Sequence, residues 1–440
     1  MKTVIKLALS VCAAAFGVVA IPALVTSVSA TPTAVNVPCS AGAAGLVAAI
    51  GSANTAGGGT INLAPGCTYV LTAPNNVSSI PMLGGSNGLP VISTSIAVNG
   101  FNTTITRNSA KPFRFFEVDS PDGNLTARGL TLTNGLDPAG GALLNAQGIA
   151  SLTNCEVNGN TAQMGGGGIA SGVVNPADVG PIGRLTLNAT QVDNNTVQAA
   201  GGGGGGGGIL NHAGTLTLNG SEVDGNLSQG GGGGIASGPG NGGSGGNSVL
   251  TLNFSRVNGN TSNGGPADGA GGIANGGSAT LNASLVDDNS APGAPGGGIL
   301  NHGVMTLSFV QVSKNSAATD ANGDQGDGGG IANINLAGVG ATSPSGVLTL
   351  NLSTVNGNNA SGVGGGIADV GVDAEGGLTA PAGPLTLKLS VVTGNTAGVD
   401  GGGIYTVPGA GSPVSLFLSL VFRNAPDNCS PVGMIRGCFG

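Results

Sequence analysis

Three aspartates occupy the same position of a repeated phrase and could act together on a glycosidic bond. Asp193, Asp224 and Asp287 each follow a valine near the end of an eleven-residue phrase, and Asp193 and Asp224 stand in consecutive copies. If consecutive copies form neighbouring parallel strands, the Cα atoms of Asp193 and Asp224 lie about 5 Å apart. Carboxyl groups about 5–5.5 Å apart suit a retaining glycosidase. The alternative is that all three are turn residues, because other copies hold Asn at this position.

A second group of oxygen-bearing side chains resembles a calcium-binding loop. It alternates acidic and amide residues over a short stretch: Asp320, Asn322, Asp324 and Asp327. Such residues on a tight turn supply the oxygen ligands that Ca²⁺ prefers. However, Gln325 stands where an EF-hand loop has Gly, and no terminal Glu follows. A solvated acidic loop is therefore the alternative, and we expect no cofactor other than Ca²⁺.

The phrase that carries the three aspartates recurs nine times. Each copy begins on an apolar or small residue, has Val at its eighth position and ends on Asn. The copies span residues 150–160, 185–195, 216–226, 250–260, 279–289, 305–315, 348–358, 385–395 and 414–424. Between them lies a glycine run that ends on Ile. A fixed phrase with variable spacers is typical of a solenoid.

The pattern within one copy predicts short strands. In the copy 348–358, Leu348, Leu350 and Val355 alternate with polar residues, which indicates one buried and one exposed face. The Ser or Thr at the sixth position predicts a bend between two strands, and the Ile motif predicts a third. Gly45–Ile50 has apolar residues at helical spacing and predicts a helix that caps the open edge. We therefore expect an all-β, right-handed parallel β-helix with a short N-terminal capping helix.

Stacking of identical coils predicts columns of identical side chains along the rod. The valines and leucines should form one continuous core, and the terminal asparagines should form a hydrogen-bonded amide ladder. The long insertions fall after the Ile motif, at residues 170–184, 236–249, 332–347 and 368–384. Because position within the coil fixes the face, we expect these loops to protrude from one side.

Composition and the first residues indicate an exported protein. The chain of 440 residues has 88 Gly, 7% charged residues, 3% aromatic residues and a net charge of −8, so no nucleic-acid partner is expected. Residues 1–30 combine Lys2 and Lys6 with an apolar stretch, as in a signal peptide, and no later segment predicts a membrane span. We expect a secreted or cell-surface monomer. Residues 31–100 would form an N-terminal cap with irregular coils, 101–424 the repeats and 425–440 a C-terminal cap.

Cysteines cluster at the two ends of the chain. In an exported protein, disulfide bonds between Cys39 and Cys67 and between Cys429 and Cys438 would cross-link the terminal coils, which lack a neighbour on one side. Cys155 occupies the position that is Ser or Thr in most copies, so we expect it to be a buried free thiol.

These motifs resemble two groups of known proteins. Gly-Gly-Gly-Ile followed by Val-x-x-Asn resembles the polymorphic outer membrane protein repeat, although Val replaces the Phe of that pattern. We expect no C-terminal membrane barrel. The chain also resembles secreted bacterial β-helix proteins of the pectin-lyase-like superfamily, and the region from Cys39 to Leu71 resembles their N-terminal cap. The resemblance implies the fold more strongly than a function.

The sequence favours a non-catalytic, exported β-helix that acts as an interaction, adhesion or structural module. Its partner would be an extracellular polysaccharide or a surface protein. The alternative is a polysaccharide-active enzyme, a lyase or glycoside hydrolase of the pectin-lyase-like fold, with Asp193, Asp224 and Asp287 as its catalytic candidates.

Overall fold

The computed structural model describes the chain from Ala34 to Phe439 with internal gaps. The described residues are 34–80, 84–119, 121–172, 183–198, 205–238, 248–265, 269–319, 326–336, 346–372, 378–380, 383–407 and 414–439. The predicted signal peptide lies outside these ranges, as do most residues of the four long insertions, so the prediction that the insertions share one side is not tested.

The N-terminal end is covered by a helix. A 3₁₀ turn, Cys39–Ala41, leads into α1, Gly42–Thr55. Leu46, Ala49, Ile50 and Ala53 of α1 are buried against the first strands because they recur at helical spacing. The predicted capping helix is thus confirmed and is longer than Gly45–Ile50.

Each regular coil contains four short strands, one more than the sequence predicted, and these form three long sheets. The first and second strands belong to one 23-stranded sheet, the third strands to a 9-stranded sheet and the fourth strands to a 12-stranded sheet. Coil-to-coil pairings within the three sheets are parallel in register. The right-handed parallel β-helix is therefore the fold of this protein.

The first strands are Ala34–Val37, Gly58–Leu63, Ile149–Thr153, Arg184–Asn188, Thr215–Asn219, Val249–Asn253, Ser278–Asn282, Val304–Ser308, Val347–Asn351, Leu385–Lys388 and Val414–Phe417. The second strands are Thr68–Leu71, Glu156–Asn158, Gln191–Asp193, Glu222–Asp224, Arg256–Asn258, Leu285–Asp287, Gln311–Ser313, Thr354–Asn356, Val391–Thr393 and Leu420–Phe422. In two early coils, one long strand supplies both: Ser95–Arg107 and Asn124–Thr133.

The third strands are Leu136–Ala139, Thr161–Gly165, Thr196–Val197, Leu227–Ser228, Thr261–Ser262, Ser290–Pro292, Ser316–Ala318, Asn359–Ala360 and Thr396–Ala397. The fourth strands are Phe116–Val118, Leu143–Asn145, Ile169–Gly172, Ile209–His212, Ile235–Ser237, Ile273–Asn275, Ile299–Asn301, Ile331–Leu336, Ile367–Val372, Ile404–Thr406 and Cys429–Ser430. Leu378–Ala380 pairs with Ile367–Val372, and a separate hairpin joins Asn76–Val77 to Ser86–Asn87.

One continuous apolar core runs along the rod. Val192, Val223 and Val257 are register partners in successive coils, and all three are fully buried. The leucines of the first strands and the isoleucines of the fourth strands line the same cluster. Burial of identical residues in register is what fixes the coil, because a shift by one residue would turn every inward side chain outward.

The predicted asparagine ladder is present. Asn226 Nδ2 donates to Oδ1 of Asn260 at 2.9 Å, and Asn195 Nδ2 donates to Oδ1 of Asn226 at 3.0 Å. Each ladder amide also donates to a backbone carbonyl of the preceding coil, as Asn226 does to Val192 O at 2.8 Å. The residue before the ladder Asn has a left-handed backbone, such as Gly225 at φ 61°.

The bend between first and second strands is made by one left-handed residue in each coil. That residue precedes the Ser or Thr position where the sequence predicted the bend; in consecutive coils it is Ala189 at φ 46° and Gly220 at φ 55°. The following hydroxyl accepts a backbone N–H from the preceding coil, as Ser221 Oγ accepts from Thr190 N at 3.1 Å. A one-residue bend lets the outward residues on both sides of it face a common groove.

Both terminal disulfides are present. Cys39 is bonded to Cys67 and Cys429 to Cys438, and Cys155 is free and buried. In the part of the chain that the structure covers, no helix has the length and apolarity to cross a membrane.

Candidate functional site

Two outward columns of polar residues run side by side on the second strands. The first column contains Glu156, Gln191, Glu222 and Arg256, and the second contains Asn158, Asp193, Asp224, Asn258 and Asp287. In each strand the two outward residues flank an inward valine, so both point to the same face. The strands thus gather acidic side chains from successive coils into one patch, which we call the acidic patch.

Asp193 lies at the centre of the acidic patch and has the most perturbed carboxyl there. Burial first, and then the charges of Asp224, Glu222 and Glu156 in that order, raise its pKa to about 7. Its Oδ1 atom is buried and has no hydrogen-bond partner among the described residues. A half-buried carboxyl without a cation beside it holds its proton to neutral pH. That is the property of a general acid.

Asp224 is the register partner of Asp193 in the next coil. Neighbouring strands lie about 4.8 Å apart, so the predicted juxtaposition of the two aspartates is present. Asp224 differs from Asp193 in its hydrogen bonding, because its Oδ1 accepts the side-chain amide of Asn258 at 2.8 Å. This hydrogen bond fixes the orientation of the Asp224 carboxyl group.

Asp287 lies apart from this pair, with Asn258 between it and Asp224. Its two carboxylate oxygens accept hydrogen bonds from Nε and Nη2 of Arg256 at 3.1 and 3.0 Å. Arg256 also donates to Oε1 of Glu222 at 3.4 Å. A fork-shaped ion pair neutralises Asp287 and fixes its orientation. Of the three catalytic candidates, the structure brings together Asp193 and Asp224 and engages Asp287 in a separate contact.

A cleft of about 380 Å³ lies beside the acidic patch, along the bend between first and second strands. Its floor is formed by bend residues of five successive coils: Asn102, Gly129, Asn154, Ala189 and Gly220. Its second-strand wall includes Glu156, Gln191 and Glu222. The cleft exists because these bend residues are small, and its volume is in the range of ligand-binding pockets.

Glu156 and Glu222 are site residues that the sequence analysis missed. Both stand two positions before the position of the aspartates, where later coils hold Leu285, Gln311 and Thr354. Glu156 Oε1 accepts the side-chain amide of Asn158 at 3.0 Å. Aligning the copies at this position would have found the signal, because charged residues are concentrated there in neighbouring coils.

The calcium-loop candidate is not tested. Asp320, Asn322 and Asp324 lie outside the described residues. Asp327 is described: its Oδ1 accepts the backbone N–H of Val363 at 2.8 Å, and burial raises its pKa. Among the residues that the structure places, no group of three or more His, Cys, Asp or Glu side chains is arranged to hold a metal ion.

Cys155 lines the cleft but is buried beneath it. Burial raises the pKa of its thiol, and its Sγ lies within hydrogen-bonding distance of the carbonyl oxygens of Ala127 and Thr153, at 3.5 and 3.4 Å. A thiol with a raised pKa is a poor nucleophile. The expectation of a structural thiol therefore agrees with its surroundings.

A second cluster of charged residues lies at the N-terminal coils and is fully buried. Arg114 forms ion pairs with Glu117 and Asp137, and its Nη1 also donates a hydrogen bond to Oδ1 of Asn87 at 3.1 Å. Burial raises the pKa of Asp137 to about 6 in spite of the Arg114 charge. Ser78 Oγ donates to the remaining oxygen of Glu117 at 2.9 Å. Because its members are paired with one another and shielded from solvent, this cluster holds the hairpin onto the coils and is a structural feature.

Comparisons with known proteins give similarity in structure alone. No family model matches the chain, and no curated protein matches it. Among solved structures, the A-module of the mannuronan C-5 epimerase AlgE4 from Azotobacter vinelandii is similar with a TM-score of 0.40 and 12% identity, covering 86% of this chain and 90% of that one. The A-module of the epimerase AlgE6 from the same organism has a TM-score of 0.35 and 14% identity, covering 88% and 93%.

This finding differs from the main functional expectation from sequence. The similar solved structures are modules of enzymes named for acting on a polysaccharide, whereas we expected a non-catalytic interaction or structural module. The motifs of the repeat are structural positions, so they carried no information on catalysis. The residues that could react lie within the repeated phrase, at outward positions whose residue type varies from copy to copy.

Proposed function

We propose that this protein is a polysaccharide-active enzyme and that the Asp193–Asp224 pair hydrolyses a glycosidic bond. The observation that carries the proposal is the environment of Asp193. Its carboxyl has a pKa of about 7, an unpartnered buried oxygen and a second aspartate on the next strand. Two neighbouring carboxyl groups in different environments are the acid and the nucleophile that a retaining glycosidase needs.

In the proposed reaction, Asp193 is the general acid and Asp224 the nucleophile. The Asp224 carboxylate attacks the anomeric carbon while the bond from that carbon to the leaving oxygen breaks, and Asp193 gives its proton to that oxygen. A water molecule then attacks the anomeric carbon, Asp193 takes a proton from the water, and the bond to Asp224 breaks. Both carboxyl groups return to their starting states, and the anomeric configuration is retained.

The surroundings of the pair favour hydrolysis over elimination on a uronic acid. Elimination next to a carboxylate needs a cation to neutralise that carboxylate and a base to take the neighbouring proton. Among the described residues, Arg256 is the cation in contact with the patch, and it forms ion pairs with Asp287 and Glu222. The charges that raise the pKa of Asp193 are all negative. The acidic patch thus contains acidic groups at the place where a polyuronate would need a cation to neutralise its carboxylate.

The test is incubation of the purified protein with neutral and acidic polysaccharides, with and without Ca²⁺. Both reactions give new reducing ends, and elimination also gives unsaturated ends that absorb in the ultraviolet, so hydrolysis is shown by reducing ends without that absorbance. We expect reducing ends, and we expect Asp193→Asn and Asp224→Asn each to lower kcat at least about 100-fold, as loss of acid catalysis or of the nucleophile does. Unsaturated products, or full activity in both variants, would contradict the proposal.

Asp288→Asn is the matched control. Asp288 is an exposed acid next to the second column, and its backbone is left-handed at φ 55°, a conformation that Asn tolerates. The variant removes the same charge from a neighbouring position without touching the Asp193–Asp224 pair. Its activity should stay within about twofold of the unaltered protein.

We also propose that the protein is exported and that its partner is an extracellular polysaccharide. Residues 1–30 have the composition of a signal peptide, and the two terminal disulfides suit an oxidising compartment. Mass spectrometry of the mature N-terminus in culture medium tests this proposal, and sedimentation tests the proposed monomer. Membership of the pectin-lyase-like superfamily, similarity to the polymorphic outer membrane protein repeat and the division at residues 100 and 424 likewise stay proposals.

A further inference from the structure

The bend residues form a column whose chemistry changes halfway along the rod. In the five coils that floor the cleft, this column holds small or amide residues. In the following six coils it holds Phe254, Ala283, Phe309, Leu352, Leu389 and Leu418, each left-handed with φ between 45° and 58°. We call these six residues the apolar ridge. Successive coils are about 4.8 Å apart, so the apolar ridge extends for about 24 Å.

The large residues of the apolar ridge are exposed. Their exposed fractions are 77% for Phe254, 64% for Phe309, 48% for Leu352, 50% for Leu389 and 71% for Leu418. Left-handed backbone is unfavourable for residues with a large side chain, and Asn or Gly would be more stable at each position. Exposure means that burial within the chain does not offset this strain. A surface that covers the apolar ridge would supply the missing burial.

The apolar ridge continues the cleft without a break. Gly220 is the last bend residue of the cleft floor, and Phe254 is the bend residue of the next coil. Both lie on the same line, parallel to the rod axis. An elongated ligand that lies in the cleft along the rod axis would therefore pass over Phe254 and onward along the apolar ridge.

A row of amides runs beside the first half of the apolar ridge. Asn219, Asn253 and Asn282 immediately precede bend residues and are linked by side-chain hydrogen bonds of 2.9 and 3.0 Å. Each amide retains hydrogen-bonding capacity beyond these links. An apolar surface with amides at its side matches a sugar ring, which has an apolar face of C–H groups and a rim of hydroxyls.

Charge restricts the kind of sugar. The cleft and the acidic patch contain Glu156, Asp193, Glu222 and Asp224, and Arg256 is engaged in ion pairs. A polymer with one negative charge on every sugar would be repelled along this path. Resting on the proposed function, we infer that the substrate is an uncharged polysaccharide whose chain lies in the cleft and stacks its sugar faces on the apolar ridge.

The test compares binding by a ridge variant and by a control variant, both in an Asp193→Asn background that does not consume the ligand. The ridge variant is Phe254→Asn, Phe309→Asn and Leu352→Asn together, and Asn suits the left-handed backbone so that folding is retained. The control is Val399→Asn, an apolar residue with 56% exposure that lies outside the bend column. The probes are soluble β-glucan, xylan and galactomannan, with alginate and pectate as charged counterparts, measured by affinity electrophoresis.

We expect at least one neutral probe to bind, the ridge variant to weaken that binding at least tenfold and the control to leave it unchanged. Tighter binding of alginate or pectate, or equal binding by the ridge variant, overturns the inference. A ridge variant that alters only the oligomeric state in light scattering also overturns it and makes the ridge an interface between copies. Binding without hydrolysis by the unaltered protein would overturn the proposed function and leave this inference standing. Hydrolysis by the unaltered protein together with equal binding by the ridge variant would overturn this inference and leave the proposed function standing.

Discussion

The first half of the rod and the second half have the same interior and different exteriors. Val192 in the first half and Val355 in the second occupy the same inward position and are equally buried. Outward, the first half presents the cleft and the Asp193–Asp224 pair, whereas the second presents the apolar ridge. Inward residues are fixed by packing against identical neighbours, so differences accumulate on the outer face. In this fold the places where the repeat is broken are the places to look for function.

The halves also differ in what stabilises them. The asparagine ladder runs through both halves, and the first half also contains the buried charges of Arg114, Glu117 and Asp137. A charge cluster is destabilised strongly when one member is removed, whereas a ladder loses a few hydrogen bonds at one coil. The following experiments test this difference and the difference in the outward columns.

Arg114→Met should have the largest effect on stability. It leaves Glu117 and Asp137 buried without their cation, and breaking a buried ion pair destabilises a protein by about 3–5 kcal/mol. The measurement is the free energy of unfolding in guanidinium chloride. Arg256→Met, in a half-exposed ion pair, is the control and should cost less than about 1 kcal/mol. Equal losses in the two variants would mean that burial of the charges is unimportant.

Asn315→Leu should destabilise the second half by about 2–4 kcal/mol. Oδ1 of Asn315 accepts both the backbone N–H and the side-chain amide of Asn289. In the variant the buried backbone N–H loses its partner, and the side-chain amide keeps only Val257 O. The same unfolding titration measures the loss. Asn351→Ala is the control, because its amide makes one long outward contact of 3.5 Å with Ser308. A loss no larger than that of the control would show that the ladder adds little.

Asp369→Asn should stabilise the protein by about 2 kcal/mol at pH 8. Asp369 ends a second amide ladder on the fourth strands, where its Oδ1 accepts Asn333 Nδ2 at 2.8 Å, and burial raises its pKa to about 7. The folded state binds this proton more tightly than the unfolded state. Asp369 therefore destabilises the protein progressively as the pH rises from about 4 to about 7, and the destabilisation persists above that range.

Melting temperatures of the Asp369→Asn variant and the unaltered protein, measured between pH 4 and pH 8, check this sign. The melting temperature of the variant should exceed that of the unaltered protein by a small amount at pH 4 and by an increasing amount as the pH rises to 8. A constant difference at all pH values would contradict the assigned protonation of Asp369.

The pH profile of catalysis should depend on the neighbours of Asp193. A general acid must be protonated, so kcat should fall as the pH rises through about 7. Glu222→Gln removes one of the charges that raise this pKa, so the fall should begin at a lower pH, with about threefold less activity at pH 7.5. Asp288→Asn should leave the profile unmoved. A profile that shifts upward in Glu222→Gln would exclude Asp193 as the acid.

Exchanging bend residues between the halves should have the smallest effects, of opposite sign. Phe309→Asn relieves left-handed strain at an exposed position and should raise stability by about 0.5–1 kcal/mol. Gly220→Phe introduces the same strain and should lower stability by a similar amount, since the space around Gly220 is open. Differential scanning calorimetry measures both. If both substitutions changed stability in the same direction, side-chain contacts would contribute more than left-handed backbone strain at the bend position.

Sequence reasoning reached further for the fold than for the site. The period-two pattern and the fixed phrase predicted the register that pairs Val192 with Val223, and the ladder from Asn160 to Asn424. They missed the third strands because Thr196–Val197 and its equivalents are too short to show alternation. For the site, they paired Asp193 with Asp224 and overlooked Glu156 and Glu222. Their functional conclusion was wrong, because it treated the absence of a recognisable motif as the absence of chemistry.

The sequence by itself determined which residues face inward, which face outward and which coils are neighbours, because these follow from strand periodicity and repeat length. Only the tertiary structure decided the burial, protonation and ion pairing of those residues. The burial that raises the pKa of Asp193, the fork that engages Asp287, and the joining of Asn87, Arg114 and Asp137 all depend on distances between separate segments. Solvent exposure and electrostatic interactions depend on distances between residues that are far apart in the sequence. A local sequence pattern therefore does not predict them.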